Sequence, residues 1–235
     1  MPLAGGIVRH GYQCGMLWGS ALAAGAQTYR LLGPGPQAEA KAMLAAERLV
    51  ESFRACNKHK AKDCLEITEM DWRSTTWQMI ARYFIKGEAI GCFRMAPTFA
   101  RVAISEIDTV LADGLGEVPP VPVSCAAILA RKMGASDLHT VMASGLAGGI
   151  GLSGGGCGAL GAAIWLLGVD SLKEAGKIDY GSRRAMAVID KFLKSTDFKF
   201  ECSEIVGRRF ESVGDHASYL RDGGCGKVLE VLATA

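Results

Sequence analysis

Cysteines are the residues of this chain whose type and spacing could carry out chemistry. The 235-residue sequence holds eight of them, and six recur in the same order in its two halves. The recurring positions are Cys14, Cys64 and Cys92 in the first half and Cys157, Cys202 and Cys225 in the second. Cys56 and Cys125 have no counterpart in the other half. Recurrence of three positions indicates a shared chemical task, whereas one buried thiol would indicate packing alone.

Thiols gathered in this way support three kinds of chemistry. Four thiolates can hold an iron–sulfur cluster that passes single electrons, two thiols can alternate between dithiol and disulfide, and four thiolates can bind structural zinc. Recurrence supplies Cys157, Cys202 and Cys225 as candidate ligands, with Cys14, Cys64 and Cys92 as a related secondary set in the first half.

Cys157 is the expected reactive thiolate if the chemistry is disulfide exchange. It follows the glycine run at residues 154–156, and a turn there would place it in the first turn of a helix. Unpaired backbone N–H groups and the positive end of the helix dipole lower the pKa of a thiol at that position. The small residues Gly158, Gly161 and Ala162 would let a second helix approach closely.

The same stretch contains Gly-x-Gly-x-x-Gly at residues 156–161, a spacing typical of nucleotide-binding loops. An ungapped alignment of residues 5–25 with residues 148–168 superimposes their Cys-Gly pairs but places Gln13 and Trp18 opposite two of the three glycines. The preceding segment is also too rich in Gly and Ala for the strand that such a loop follows. The sequence therefore argues against a nucleotide cofactor.

The cysteine pattern of the second half resembles that of the C-GCAxxG-C-C family of putative redox-active proteins. An isolated Cys125, the Cys-Gly-Ala element at residues 157–159 and two widely spaced later cysteines carry the resemblance. It spans residues 121–232 fully and the first half as a partial copy, which lacks the leading cysteine. Ala162 stands where the family motif has its last glycine. The resemblance implies a helical protein with redox activity and a four-cysteine site formed by Cys125, Cys157, Cys202 and Cys225. Because four positions exceed the two that thiol exchange needs, we expect an iron–sulfur cluster there in preference to a disulfide couple.

Apolar residues recur mainly at three- and four-residue steps, the period of an amphipathic helix, and strand signals are weak. The expected helices span residues 14–31, 38–55, 72–86, 97–112, 124–133, 157–174, 182–194 and 216–232. We therefore expect an all-α fold, a helical bundle in which only tertiary packing can gather the cysteines.

The run Val-Pro-Pro-Val-Pro-Val at residues 118–123 is the expected domain boundary, because a helix cannot continue through three prolines. It divides the chain into residues 1–117 and residues 118–235. Since the cysteines recur across this boundary, we interpret the halves as an internal duplication with a partial first copy and a complete second copy.

Charge and composition argue against two classes of partner. Twenty-six Lys and Arg residues against 24 Asp and Glu leave a formal net charge of +2, without the basic excess that binds nucleic acid. Residues 141–169 are uncharged and long enough to span a bilayer, but ten of them are glycines. A lipid-facing helix could not satisfy the backbone there, so no membrane span is expected.

The first residues lack the charged and apolar regions of a signal peptide, which predicts a cytoplasmic protein. In that reducing compartment cysteines serve metal or redox chemistry more often than structural disulfides. The expected partners are electron-transfer or thiol proteins, and a second copy of the chain in a homodimer. The competing interpretation is a non-catalytic structural or interaction protein whose cysteines bind zinc or are simply buried.

Overall fold

The computed structural model describes residues 2–57, 60–69, 90–113, 123–177 and 182–234. Within these ranges the chain forms eleven α-helices and no β-strand. The all-α prediction is confirmed.

Helices of the first half differ greatly in length. They are α1 (Gly15–Leu32), α2 (Pro36–Cys56), the short α3 (Cys64–Thr68) and α4 (Ile90–Ala112). The second half contains α5 (Cys125–Lys132), α6 (Asp137–Ser144), α7 (Gly158–Ala175), α8 (Arg183–Ser195), the short α9 (Cys202–Val206), α10 (Val213–Arg221) and α11 (Gly226–Ala233).

Most predicted helices are confirmed to within two residues of their observed ends. These are the helices predicted at residues 14–31, 38–55, 124–133, 157–174 and 182–194. Local start signals contribute: Ser124 and Ser182 accept hydrogen bonds from the backbone N–H groups of Ala127 and Ala185, as helix N-caps do. The helix predicted at residues 72–86 lies outside the described residues.

Two predicted helices have different bounds in the structure. α4 begins at Ile90 and not at residue 97, since it continues through Pro97, which removes one backbone hydrogen bond without ending the helix. The segment predicted as one helix at residues 216–232 forms α10 and α11. Gly223 and Cys225 have φ angles of 86° and 61° there, and such left-handed residues end a helix.

The two halves pack against each other through small residues. α6 lies against α1 and α2, and a Cβ added to Gly25 would lie 2.5 Å from the backbone oxygen of Val141. Gly161 of α7 faces the indole ring of Trp18, which is completely buried. The close helix contact predicted for the small residues after Cys157 is therefore present, and its partner is α1.

The domain division at residue 118 and the internal duplication stay predictions. Residues 114–122, which hold most of the proline-rich boundary, lie outside the described residues. The glycine-rich segment 141–169 forms the second half of α6, a series of turns and most of α7. In the ranges given above, no helix is both long enough and apolar enough to cross a membrane.

Substitution of Gly161 by alanine should destabilise the fold. The added Cβ would lie 2.2 Å from the Trp18 ring, and overpacking of this kind costs about 1–3 kcal/mol of unfolding free energy. The matched control is Gly19→Ala on α1, where an added Cβ meets no atom within 4 Å and the better helix propensity of alanine contributes up to about 1 kcal/mol. Urea unfolding of both variants measures the difference. Equal stabilities would show that the Gly161–Trp18 contact does not limit packing.

Candidate functional site

Cys157 and Cys202 are held together by a short backbone pairing. Cys157 precedes α7 and Cys202 begins α9, and the chain segments before them form an isolated antiparallel bridge between Gly156 and Glu201. The N–H of Cys157 donates to the Phe200 carbonyl at 3.0 Å, and the N–H of Cys202 donates to a second carbonyl across the bridge at 2.6 Å. Because side chains alternate along paired segments, the two cysteines lie on the same face of this pairing.

The turn predicted at residues 154–156 is present only in part, because Gly156 is extended in the bridge to Glu201. The approach of the chain to Cys157 depends on close backbone contacts. Gly154 has a φ of 75°, in the left-handed region. Gly158, the first residue of α7, lies so close to the preceding turns that an added Cβ would be 1.8 Å from the Leu146 carbonyl oxygen. These contacts fix the start of α7 and with it the position of Cys157.

The structure brings the four predicted second-half cysteines into one interacting group. The negative charge of an ionised Cys202 is repelled by charge on Cys125, Cys157 and Cys225. An ionised Cys225 is repelled in the same way by charge on Cys125 and Cys157. None of the four forms a disulfide. Cys225 is half-buried, whereas the other three are buried. Packing of α5, α7, α9 and the α10–α11 junction therefore collects residues that are far apart in sequence.

Burial dominates the electrostatics of most of these thiols. The pKa of Cys157 is raised to about 12. Burial is the largest cause and the charge of neighbouring Cys125 the second, against smaller opposing hydrogen bonds from the backbone at Leu160 and Ala159. Burial also raises the pKa of Cys202 and Cys225. The expected lowering of the Cys157 pKa at the helix start is therefore wrong, because removal from water outweighs the backbone N–H groups.

Cys125 behaves differently because it lies next to His216, a residue that sequence analysis did not single out. The imidazole is completely buried, and the ring of Phe210 packs edge-on against it with centroids 4.6 Å apart. Its Nδ1 lies 2.7 Å from the backbone oxygen of Val123. A carbonyl only accepts hydrogen bonds, so Nδ1 carries the proton, and in the neutral ring Nε2 is an acceptor.

His216 interacts electrostatically and through its side chain with the Cys125 thiol. Its Nε2 atom has no hydrogen-bond partner in the described part of the chain. Burial opposes ionisation of Cys125, but the charge of His216 and its side-chain interaction with the sulfur outweigh it, so the pKa of Cys125 is lowered. The pKa of His216 is raised against the opposing effect of burial, chiefly by the charge of Cys125. Cys125 is therefore the thiol of this group with a lowered pKa, whereas the pKa values of the other three are raised.

The first-half cysteines repeat the backbone pairing. An isolated antiparallel bridge joins Gln13 to Asp63, and Cys14 and Cys64 follow these residues at the starts of α1 and α3. The Cys14 N–H donates to the Lys62 carbonyl and the Cys64 N–H donates across the bridge in the opposite direction, each at 2.8 Å. Charge on Cys14 interacts with Cys64 and with Cys92 on α4, and burial is the main reason that the pKa of Cys14 rises to about 12.

The two backbone pairings contact each other directly. The side-chain oxygen of Gln13, Oε1, accepts a hydrogen bond of 2.6 Å from the N–H of Gly156. The rings of Tyr12 and Phe200 stack with centroids 3.8 Å apart, and Lys62 forms an ion pair with Glu201. The two cysteine groups therefore lie on either side of one shared contact between the halves.

Four thiols have the donor chemistry of an iron–sulfur ligand set. Among the described residues, however, no three Cys, His, Asp or Glu side chains are spaced to hold a metal ion. Ligation by Cys125, Cys157, Cys202 and Cys225, or by Cys14, Cys64 and Cys92, stays a prediction.

Alkaline pH should destabilise the fold through the buried thiols. Because burial raises the pKa of Cys14 and Cys157 from 9.0 to about 12, the folded chain keeps protons there that the unfolded chain loses. Between these values the unfolded state binds fewer protons, so the free energy of unfolding falls by about 1.4 kcal/mol per pH unit for each such thiol. Urea unfolding across this pH range measures the slope. Cys157→Ala should reduce the slope by the contribution of one thiol, about 1.4 kcal/mol per pH unit, whereas the control Cys56→Ser should leave it unchanged. An unchanged slope in the Cys157 variant would contradict the raised pKa of Cys157.

Comparison with known families matches residues 123–234 to one described as "Putative redox-active protein (C_GCAxxG_C_C)". No curated protein and no solved structure matches the chain. The match covers α5 to α11, the helices that gather Cys125, Cys157, Cys202 and Cys225. The second half of the chain is therefore similar to the C_GCAxxG_C_C family of putative redox-active proteins.

Proposed function

We propose that the second half is a thiol-based redox site in which cysteine pairs cycle between dithiol and disulfide. The observation that carries this proposal is the Cys125–His216 pair. One thiol of a group of four interacts with a buried imidazole whose Nε2 atom has no hydrogen-bond partner among the described residues. A thiol with an adjacent base and further thiols nearby has the components that disulfide exchange requires.

The proton of Cys125 moves to Nε2 of His216 when the thiol ionises. The thiolate attacks one sulfur of a disulfide in a partner protein, so that a mixed disulfide forms and the first partner thiolate leaves and takes up a proton. A neighbouring cysteine of the group then attacks the Cys125 sulfur and releases the second partner thiol. In total the site loses two electrons and two protons, and the partner disulfide gains them.

Assignment of the attacking thiol to Cys125 rests on relative acidity. At neutral pH Cys157 is almost wholly protonated, since burial raises its pKa to about 12, whereas the pKa of Cys125 is lowered. Cys125 itself is only 4% exposed. The partner therefore approaches from the side of Cys225, the half-buried member of the group. Tyr219 interacts with the Cys225 sulfur at this entrance.

An iron–sulfur cluster on the same four thiols would instead give one-electron transfer. The mutual interaction of all four sulfurs is the observation in its favour. Anaerobic purification with iron, labile-sulfide and zinc assays, followed by thiol counting, separates the two functions. We expect no stoichiometric metal and a reversible loss of two thiols per second-half site. Stoichiometric iron and sulfide would contradict the disulfide couple, and one zinc per chain without redox response would make the site structural.

Replacement of His216 by glutamine should suppress the reactivity of Cys125. Without the imidazolium, burial raises the pKa of Cys125, and each unit of such a rise lowers the thiolate fraction at neutral pH about tenfold. Isotope-coded alkylation measures this by mass spectrometry, since trypsin places every cysteine of the chain on a different peptide. Alkaline pH should restore the rate.

The control for this experiment is His139→Gln. His139 packs edge-on against Trp165 with ring centroids 5.4 Å apart and belongs to no cysteine group. Its replacement should leave the pH profile of Cys125 alkylation unchanged, and Cys157 should react equally slowly in both variants. A Cys125 profile that is the same in His216→Gln as in the unmodified chain would remove the basis for a His216 role.

A further inference from the structure

We propose that the first half carries a second thiol–disulfide site, in which Cys14 and Cys64 are oxidised reversibly by a small apolar disulfide that enters between α1 and α4. The matched family segment begins at residue 123 and so assigns nothing to these cysteines. The proposal concerns other residues than the second-half site and stands or fails independently of it.

Geometry supports the pairing of Cys14 with Cys64. Each follows a residue of the Gln13–Asp63 bridge, and the two reciprocal backbone hydrogen bonds of 2.8 Å fix them relative to each other. Residues in these positions lie on the same face of the paired segments. Cys14 and Cys64 are each 5% exposed, so contact with a charged aqueous reagent is restricted.

A cavity of about 370 Å³ lies between α1 and α4. Its lining is almost wholly apolar and includes Met16 and Ala23 from α1 and Ala96, Phe99 and Ile107 from α4. This volume is at the small end of the range for sites that bind organic molecules. A small apolar molecule fits this lining, whereas a charged one would lose its hydration without a partner.

None of the first-half thiols lines this cavity, but Cys14 and Cys92 lie near the starts of its two helices. Met16 and Ala96, the lining residues closest to those starts, belong to this cavity, and Gln27, Ile107 and Asp108 line a neighbouring cavity further along. α1 and α4 therefore run side by side in the same direction, with their first residues at the same end. Cys14 immediately precedes α1, and Cys92 lies one turn before Ala96 on the same face of α4.

The exchange balances without any further reagent. One thiolate of the pair attacks a sulfur of the incoming disulfide, which forms a mixed disulfide and releases one thiol. The second cysteine attacks the protein sulfur of that mixed disulfide and releases the second thiol. The pair loses two electrons and two protons, and the small disulfide is reduced to two thiols.

The test compares an apolar with a charged disulfide. The reduced chain is treated with 2,2′-dithiodipyridine or with glutathione disulfide, quenched in acid, alkylated and digested with trypsin. The linked peptides are then quantified over time. Each rate is divided by the rate of the same disulfide with an exposed cysteine in a short peptide, which removes the difference in intrinsic reactivity. On this scale we expect dithiodipyridine to link the Cys14 peptide to the Cys64 peptide about tenfold faster than glutathione disulfide does, and a dithiol reductant to reverse the link. Absence of this link, or a link to Cys92 in its place, would overturn the proposal. Peptides of the second half report on that site separately in the same digest.

Filling the cavity tests the route of entry. Gly19 lines the cavity, and an added Cβ there meets no atom within 4 Å, so larger side chains fit without strain. Gly19→Phe, alone and together with Ala23→Phe, should slow linkage of Cys14 to Cys64 by dithiodipyridine about tenfold. Gly19→Ala should change the rate less than about twofold, and Cys56→Ser should leave it unchanged. Equal rates in the Phe and Ala variants would overturn entry through this cavity.

Discussion

The hydrogen bond from the Gly156 N–H to the side chain of Gln13 is the contact on which both cysteine groups depend. It is 2.6 Å long, buried, and joins residues 143 positions apart in the sequence. Each partner directly precedes a cysteine, so this one bond positions the starts of α1 and α7 relative to each other. A side chain without an acceptor at residue 13 would leave a buried N–H unsatisfied, which costs about 1–3 kcal/mol. The chemistry of both halves therefore rests on packing between them.

Removal from water decides which thiol can react. Helix starts supply N–H groups to Cys14 and Cys157, yet the pKa of both rises to about 12 because burial is the largest effect. A buried thiol ionises near neutral pH only where a positive charge replaces the lost solvent. In the second half His216 supplies that charge, and the Val123 carbonyl fixes the tautomer that makes this possible.

Local patterns in the sequence predicted the helices but not the environment of their residues. Apolar periodicity located α1, α2, α7 and α8. Recurrence identified three of the four cysteines that interact, and the family resemblance added Cys125. The break before α11 was missed, because it depends on the left-handed φ angles of Gly223 and Cys225.

His216 was missed for a different reason. Its partners are Val123 and Cys125, more than ninety residues away, and no local spacing marks that contact. The pKa of Cys157 could not be read from its position at a helix start, since burial is a tertiary property.

Comparison of the two halves separates what holds the cysteines from what activates them. Both halves have the reciprocal backbone hydrogen bonds, the short helix that begins with the second cysteine, and a third cysteine nearby. The second half adds Cys125 and His216, and it alone contains a thiol whose pKa is lowered among those with a shift in the described residues. The paired backbone is therefore a scaffold that brings thiols together in a dry environment. Ready ionisation at neutral pH comes from the added pair, which gives two sites of similar construction different reactivity.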